Sequence, residues 1–230
     1  MSGPVCGEEI GLKIEECDFP DDLLYDVERN LWVRTENGTA RIGVSTILVW
    51  ISGVLSSVTL KPTGSQVSLG QVIGSVEGPR HFDVVRTPIS GTIVSTNSLL
   101  PNEPRILTKD PYGAGWIAEI RPSKRSELNQ LIGLPAAKDP LRNRVNELRV
   151  HCFAEFPDQE MFEIGVECSA VLLRLNEFLE KSDKGIVIHI VSDDNSAQVE
   201  MERWSEQTGH QVLDFRKEGN LYHFIVKKIR

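Results

Sequence analysis

The chain lacks several short catalytic signatures. No GxSxG, HExxH or phosphate-loop pattern occurs in its 230 residues. The five histidines stand apart in the sequence: His81, His151, His189, His210 and His223. It has four cysteines, Cys6, Cys17, Cys152 and Cys168, none in a CxxC zinc spacing. No signal-peptide pattern is present, and a chain of this size needs no covalent staples, so the sequence predicts reduced thiols in a cytoplasm. A basic stripe is also missing. The net charge is −8, and without such a stripe to neutralise phosphates the composition argues against nucleic acid as the main partner. Long apolar runs are absent as well. The stretch from Ile42 to Leu60 has no charged residue, but serines, threonines and a glycine interrupt it, and its apolar centre is only Ile47 to Ile51. No membrane span is expected.

What is there is ordinary globular composition, 40% hydrophobic and 25% charged, in a length that allows two modest domains. Turn signals recur through the first half: Asn37-Gly38, Pro62 to Gly64, Leu69-Gly70, Gly78-Pro79, Pro88 to Gly91 and Pro111 to Gly115. Between them lie short runs rich in Val, Ile and Thr: 39–44, 54–60, 71–77, 83–87, 91–95 and 116–120. This punctuation predicts a small sandwich or barrel.

From about residue 147 the period changes. Val171, Leu172, Leu175, Phe178 and Leu179 give an amphipathic helix over 169–182. Gly185 to Val191 is a β-rich run. Residues 196–208 read as a helix stopped by Gly209. Lys217 to Asn220 is a hairpin signal between two strands. With a strand before Cys168 the order is β-α-β-α-β-β, a two-layer α/β sandwich. Pro135-Ala-Ala-Lys-Asp-Pro140 reads as the linker between the halves. The expected organisation is an extension (1–18), a mostly β domain (19–132), a linker (133–146) and an α/β domain (147–230), an α+β multidomain chain.

Two resemblances attach to these halves. Phe19-Pro-Asp-Asp-Leu-Leu-Tyr25, Leu31-Trp-Val-Arg34, Gly38 to Val44, Pro88-Ile-Ser-Gly91, Asp110 to Trp116 and Arg121-Pro-Ser123 stand in the order and spacing of the glycine cleavage H protein. The first half therefore resembles that family, which implies a barrel-sandwich hybrid of the lipoyl-domain type. The family carries lipoate on a hairpin lysine, within the stretch that here runs Gly74 to Gly91. The resemblance puts Arg80 at that position. A guanidinium stays protonated and cannot serve as the amine nucleophile of amide formation. The second half resembles the TusA family of sulfur carriers on Gly165-Val-Glu-Cys168, Ser192-Asp-Asp-Asn195 and Trp204 to Leu213. That likeness implies Cys168 as a persulfide-carrying thiol. The family's prolines after the cysteine are replaced here by Ser169 and Val171.

These readings predict a carrier or transfer protein rather than an independent enzyme. The H-like domain would be an unlipoylated docking module, with Cys168 carrying sulfur and no resident cofactor. The alternatives are an H-protein role in glycine cleavage, against which Arg80 speaks, and a scaffold with neither domain reactive. Helix starts favour thiolates, so Cys168 is expected to be exposed and reactive. Expected partners are proteins, a sulfur donor and acceptor or lipoyl-linked enzymes. A helix buries only one stripe, so Ile47, Leu48, Val49, Trp50 and Ile51 are expected to leave apolar surface for self-association, anchored by Trp50.

Overall fold

The computed structural model describes residues 11–230, so Cys6 lies outside the described residues. The chain divides after Cys152 into two compact units.

The first unit opens with a two-stranded hairpin, β1 (Gly11–Ile14) and β2 (Cys17–Pro20), turned by Glu15 and Glu16 at positive φ. Next come β3 (Leu24–Asp26), β4 (Leu31–Glu36) and β5 (Thr39–Val44), paired antiparallel in sequence. Asn37 (φ 50°) and Gly38 (φ 79°) link the last two; both central residues are left-handed, as a tight hairpin turn requires. The helix α1 (Thr46–Ser52) follows. Then come β6 (Ser57–Leu60), β7 (Gln66–Val67), β8 (Val72–Glu77), β9 (Phe82–Arg86) and β10 (Gly91–Thr96). The unit ends with α2 (Arg105–Lys109), β11 (Trp116–Pro122), a 3-10 turn (Arg125–Gln130), β12 (Ile132–Gly133) and α3 (Leu134–Glu147). A seven-stranded sheet has the order β12-β3-β4-β5-β11-β10-β7, and a three-stranded sheet the order β6-β8-β9. The short strands follow the turn signals closely. The expected barrel does not close, because the large sheet ends at two-residue strands on both edges.

The expected linker is a correction. Residues 134–147 are the helix α3, and Leu134, Ala137, Leu141 and Val145 are buried along it. Pro135 suits a first helical turn, where its missing donor costs nothing. Pro140 lies inside the helix. An interior proline costs about 3 kcal/mol, but fully burying a side chain such as Leu141 or Val145 is worth about 1.5–3 kcal/mol each. Packing therefore overrides composition. The stripe joins one core with Ile14, Phe19, Tyr25, Trp32 and Ile47.

The second unit has the predicted order: β13 (Gln159–Glu163), α4 (Cys168–Glu180), β14 (Val187–Ser192), α5 (Ala197–Thr208), β15 (Gln211–Glu218) and β16 (Leu221–Lys227). Its sheet runs β13-β14-β16-β15, parallel at the first pair and antiparallel at the other two. Val171, Leu175 and Leu179 of α4 and Met201 and Trp204 of α5 meet Ile188, Ile190, Phe224 and Val226 in its core. Strand residues two apart share a face, so the sheet side under the helices is set by this alternation.

Candidate functional site

Two places gather the residues singled out by sequence. The first is the β8–β9 hairpin tip. Arg80 is there, but it is tied down: its Nη2 donates to Trp50 O at 2.9 Å, and its backbone N–H donates to Ser52 O at 3.3 Å. Both acceptors are carbonyls of the last turn of α1, where orphan carbonyls and the negative dipole end favour a cation. Gly78 makes this approach possible. A β-carbon on Gly78 would stand 2.2 Å from Ser52 O. The turn is closed by Gly78 N–H donating to His81 O at 3.0 Å. His81 Nε2 is 3.9 Å from Asp83 on the hairpin's surface.

The apolar run of α1 is largely used within its own unit. Ile47, Leu48 and Val49 are buried, at 0%, 2% and 2% exposure. Trp50 and Ile51 are half-buried and pack against the core that α3 and the β1–β2 hairpin complete. The expectation of apolar surface along this run is corrected for Ile47, Leu48 and Val49, while Trp50 and Ile51 stay partly exposed. The elements read as an extension and a linker supply the cover.

The second place is the start of α4. Cys168 is the helix's first residue, with Glu167 as N-cap. Gly165, at φ +70°, turns the chain into it. The loop after β14 folds onto this end. Asp193 accepts the Gly165 N–H at 2.7 Å, and Asp194 accepts the Cys168 N–H at 2.7 Å. Asp194 also accepts the N–H and hydroxyl of Ser196, each at 2.8 Å. These bonds, those from Ser196 and Cys168 N–H foremost, hold its carboxyl below the usual range. Cys168 itself is 3% exposed. Burial first, then the charges of Asp194 and Glu200, pushes its thiol up to about 11. The expected exposed thiolate is thus a covered thiol at rest. The helix start is present, but a carboxylate from the next loop already takes its N–H group.

Cys17 and Cys152 form a disulfide across a sequence separation of 135, which corrects the expectation of reduced thiols for this pair. Cys168 is the free cysteine among the described residues. The bridge joins β2 to the segment leaving α3, two pieces of one core that contact order alone would not pair.

Sequence reading also misses a side-chain cluster on the second unit's sheet. His189 Nε2 lies 3.0 Å from His223 Nδ1, and Glu160 lies 3.4 Å from His189 Nδ1. Phe153 packs on both imidazoles, with Arg216 over its ring at 4.6 Å. The residues are far apart in sequence, but β14 and β16 pair with Val191 opposite His223, so the histidines are diagonal neighbours. Among the described residues no group of three or more His, Cys, Asp or Glu side chains could hold a metal ion, and no helix is long and apolar enough to cross a membrane.

Comparison with known proteins agrees with this division. Residues 23–143 match the family profile of the glycine cleavage H-protein, and residues 164–228 match that of the sulfurtransferase TusA. Glycine cleavage system H protein 2 of Aquifex aeolicus is 32% identical over 148 residues, covering 62% of this chain and 92% of its own length. The H protein of Salinibacter ruber is 34% identical over 119 residues, covering 52% of this chain and 95% of its own. A crystal structure of an H protein from Mycobacterium marinum, 28% identical, covers 49% of this chain and 98% of that one with a TM-score of 0.44. The chain is a two-domain fusion that belongs to the glycine cleavage H-protein family and continues into a TusA-like domain.

Proposed function

We propose that the protein is a carrier in which the H-protein-like region is an unlipoylated docking module and the TusA-like region bears sulfur as a persulfide on Cys168. The observation that carries this reading is the position of Cys168, the first residue of α4 inside the TusA-matched segment. The hairpin tip supports the other half. A prosthetic group held by an amide needs an amine there, and Arg80 offers a guanidinium bonded to the end of α1. The residues at the tip do not fit lipoate.

The chemistry asked of Cys168 is thiol–disulfide exchange at a sulfane sulfur. The Cys168 sulfur attacks the terminal sulfur of a donor protein's cysteine persulfide. The donor's S–S bond breaks, a new S–S bond forms on Cys168, and the proton lost by the Cys168 thiol ends on the departing donor thiol. No oxidant or reductant is consumed. Delivery to an acceptor thiol is the same exchange run onward. The attacking species is the thiolate, so the covered, protonated thiol must be uncovered in the complex with the donor.

The test is transfer of radiolabelled sulfane sulfur from a persulfurated donor protein to the parent chain and to Cys168→Ser. Label that stays with the parent, is released by reducing agent and is lost in Cys168→Ser is the expected result. Equal labelling of both chains overturns the assignment.

A further inference from the structure

We propose that Asp194 is a latch on Cys168. Its carboxylate occupies the N-terminus of α4, the place from which a thiolate would draw its stabilisation, and sulfur chemistry begins when the 192–196 loop withdraws. This rests on the carrier reading of Cys168 and adds a positioning residue to it.

The geometry is specific. A helix N-terminus presents free N–H groups and a positive dipole end. At the start of α4 the Cys168 N–H points at Asp194 Oδ2, 2.7 Å away. The carboxylate is held in place by both the N–H and the hydroxyl of Ser196. Asp193 fastens the same loop to Gly165 N–H, and at the far end Tyr222 donates to Asn195 Oδ1 at 3.1 Å. The loop is therefore pinned both to the helix start and to the β15–β16 hairpin. The two carboxylates that act on the thiol, Asp194 from the loop and Glu200 from α5, have the same sign as a thiolate. A second negative charge on Cys168 is disfavoured while Asp194 stays.

Withdrawing the loop changes two things together. It removes the Asp194 carboxylate and frees the Cys168 N–H for an anionic sulfur. Ser169 and Val171, which stand where the family has prolines, continue the helix from Cys168.

Iodoacetamide alkylation of Cys168 across a pH series, followed by peptide mapping, tests the latch without any sulfur donor. The parent chain is expected to react with a midpoint well above that of an ordinary cysteine. Asp194→Asn keeps the size of the side chain and removes its charge; its midpoint is expected to fall, with a rate at neutral pH about tenfold above the parent, the change for one like charge. Asp194→Glu restores the charge and is expected to stay slow. Ser196→Ala, which only loosens the carboxylate, is expected to fall between. An ordinary cysteine midpoint in the parent overturns the latch whatever the variants do, and so does an unchanged midpoint in Asp194→Asn with an unchanged thermal melt. Sulfur transfer is then measured on the same proteins. Faster alkylation of Asp194→Asn with no sulfur accepted by either chain keeps the latch and refutes the carrier, whereas transfer with unchanged alkylation does the reverse.

Discussion

Gly78 has no room for a β-carbon, and this shapes the hairpin as much as Arg80 does. An alanine there must push Ser52 O, 2.2 Å from its β-carbon, and that oxygen belongs to the backbone. Gly78→Ala is expected to destabilise the protein by about 1–3 kcal/mol, the range for overpacking, read as a shift in urea midpoint. Arg80→Ala removes an exposed bond to Trp50 O and is expected to cost about 1 kcal/mol. Restoring a lysine by Arg80→Lys supplies the amine, but the tip stays pressed on the end of α1, so modification by a lipoate ligase is expected to remain poor. A fully lipoylated Arg80→Lys chain in intact mass would show that the residue alone, and not the docked tip, had been the obstacle. The identity of Arg80 is plain in the sequence. Its partner carbonyls, on Trp50 and Ser52, are not, because no side-chain pattern announces a backbone acceptor.

At the scale of elements, α3 and the disulfide finish the first unit's core. A link closing a loop of 135 residues is worth about 4–5 kcal/mol on the chain-entropy account. Reduction, or Cys17→Ser with Cys152→Ser, is expected to lower the melting temperature of that unit, and a thiol count in denaturant should rise by two on reduction. Leu141→Ala is expected to cost about 2–5 kcal/mol in the same melt, because the residue is 1% exposed; a linker residue would cost nothing. In the second unit, Gly209 closes α5 in the left-handed region and His210 follows, its Nδ1 accepting the Ile229 N–H at 3.2 Å. Burial first, then Lys228 and Arg230, holds His210 below its ordinary value. The unfolded chain then binds the proton more tightly, so this contribution to stability is present above the unfolded value and is lost as pH falls toward the folded one. His210→Gln is expected to flatten the loss of stability on the acid side of neutrality; an identical pH profile would contradict that. Strands and the second unit's helices are legible beforehand because turn residues and the 3.6 period report them locally. The helix α3 is not, because its prolines mimic a linker and its apolar stripe, at positions 134, 137, 141 and 145, has meaning only against strands more than a hundred residues earlier.

At the scale of the whole molecule, the two halves are readable from the change of period and from ordered turn motifs, and each half keeps the elements its sequence predicts. What sequence does not convey is the state of the chemistry: the helix start that favours a thiolate is already filled by Asp194, and the hairpin tip is fastened rather than free. Both facts come from loops that meet across the fold. The central claim is that this fusion carries sulfur on Cys168 and no lipoyl arm. Its most direct test is intact mass, with peptide mapping, after exposure of the full chain to a lipoate ligase with its substrates and, separately, to a persulfurated donor protein. The account predicts no lipoyl adduct in the first reaction and, in the second, a gain of one sulfur atom that maps to Cys168 and disappears with reducing agent. A lipoyl adduct on any lysine, or sulfur retained by a Cys168→Ser chain, would contradict it.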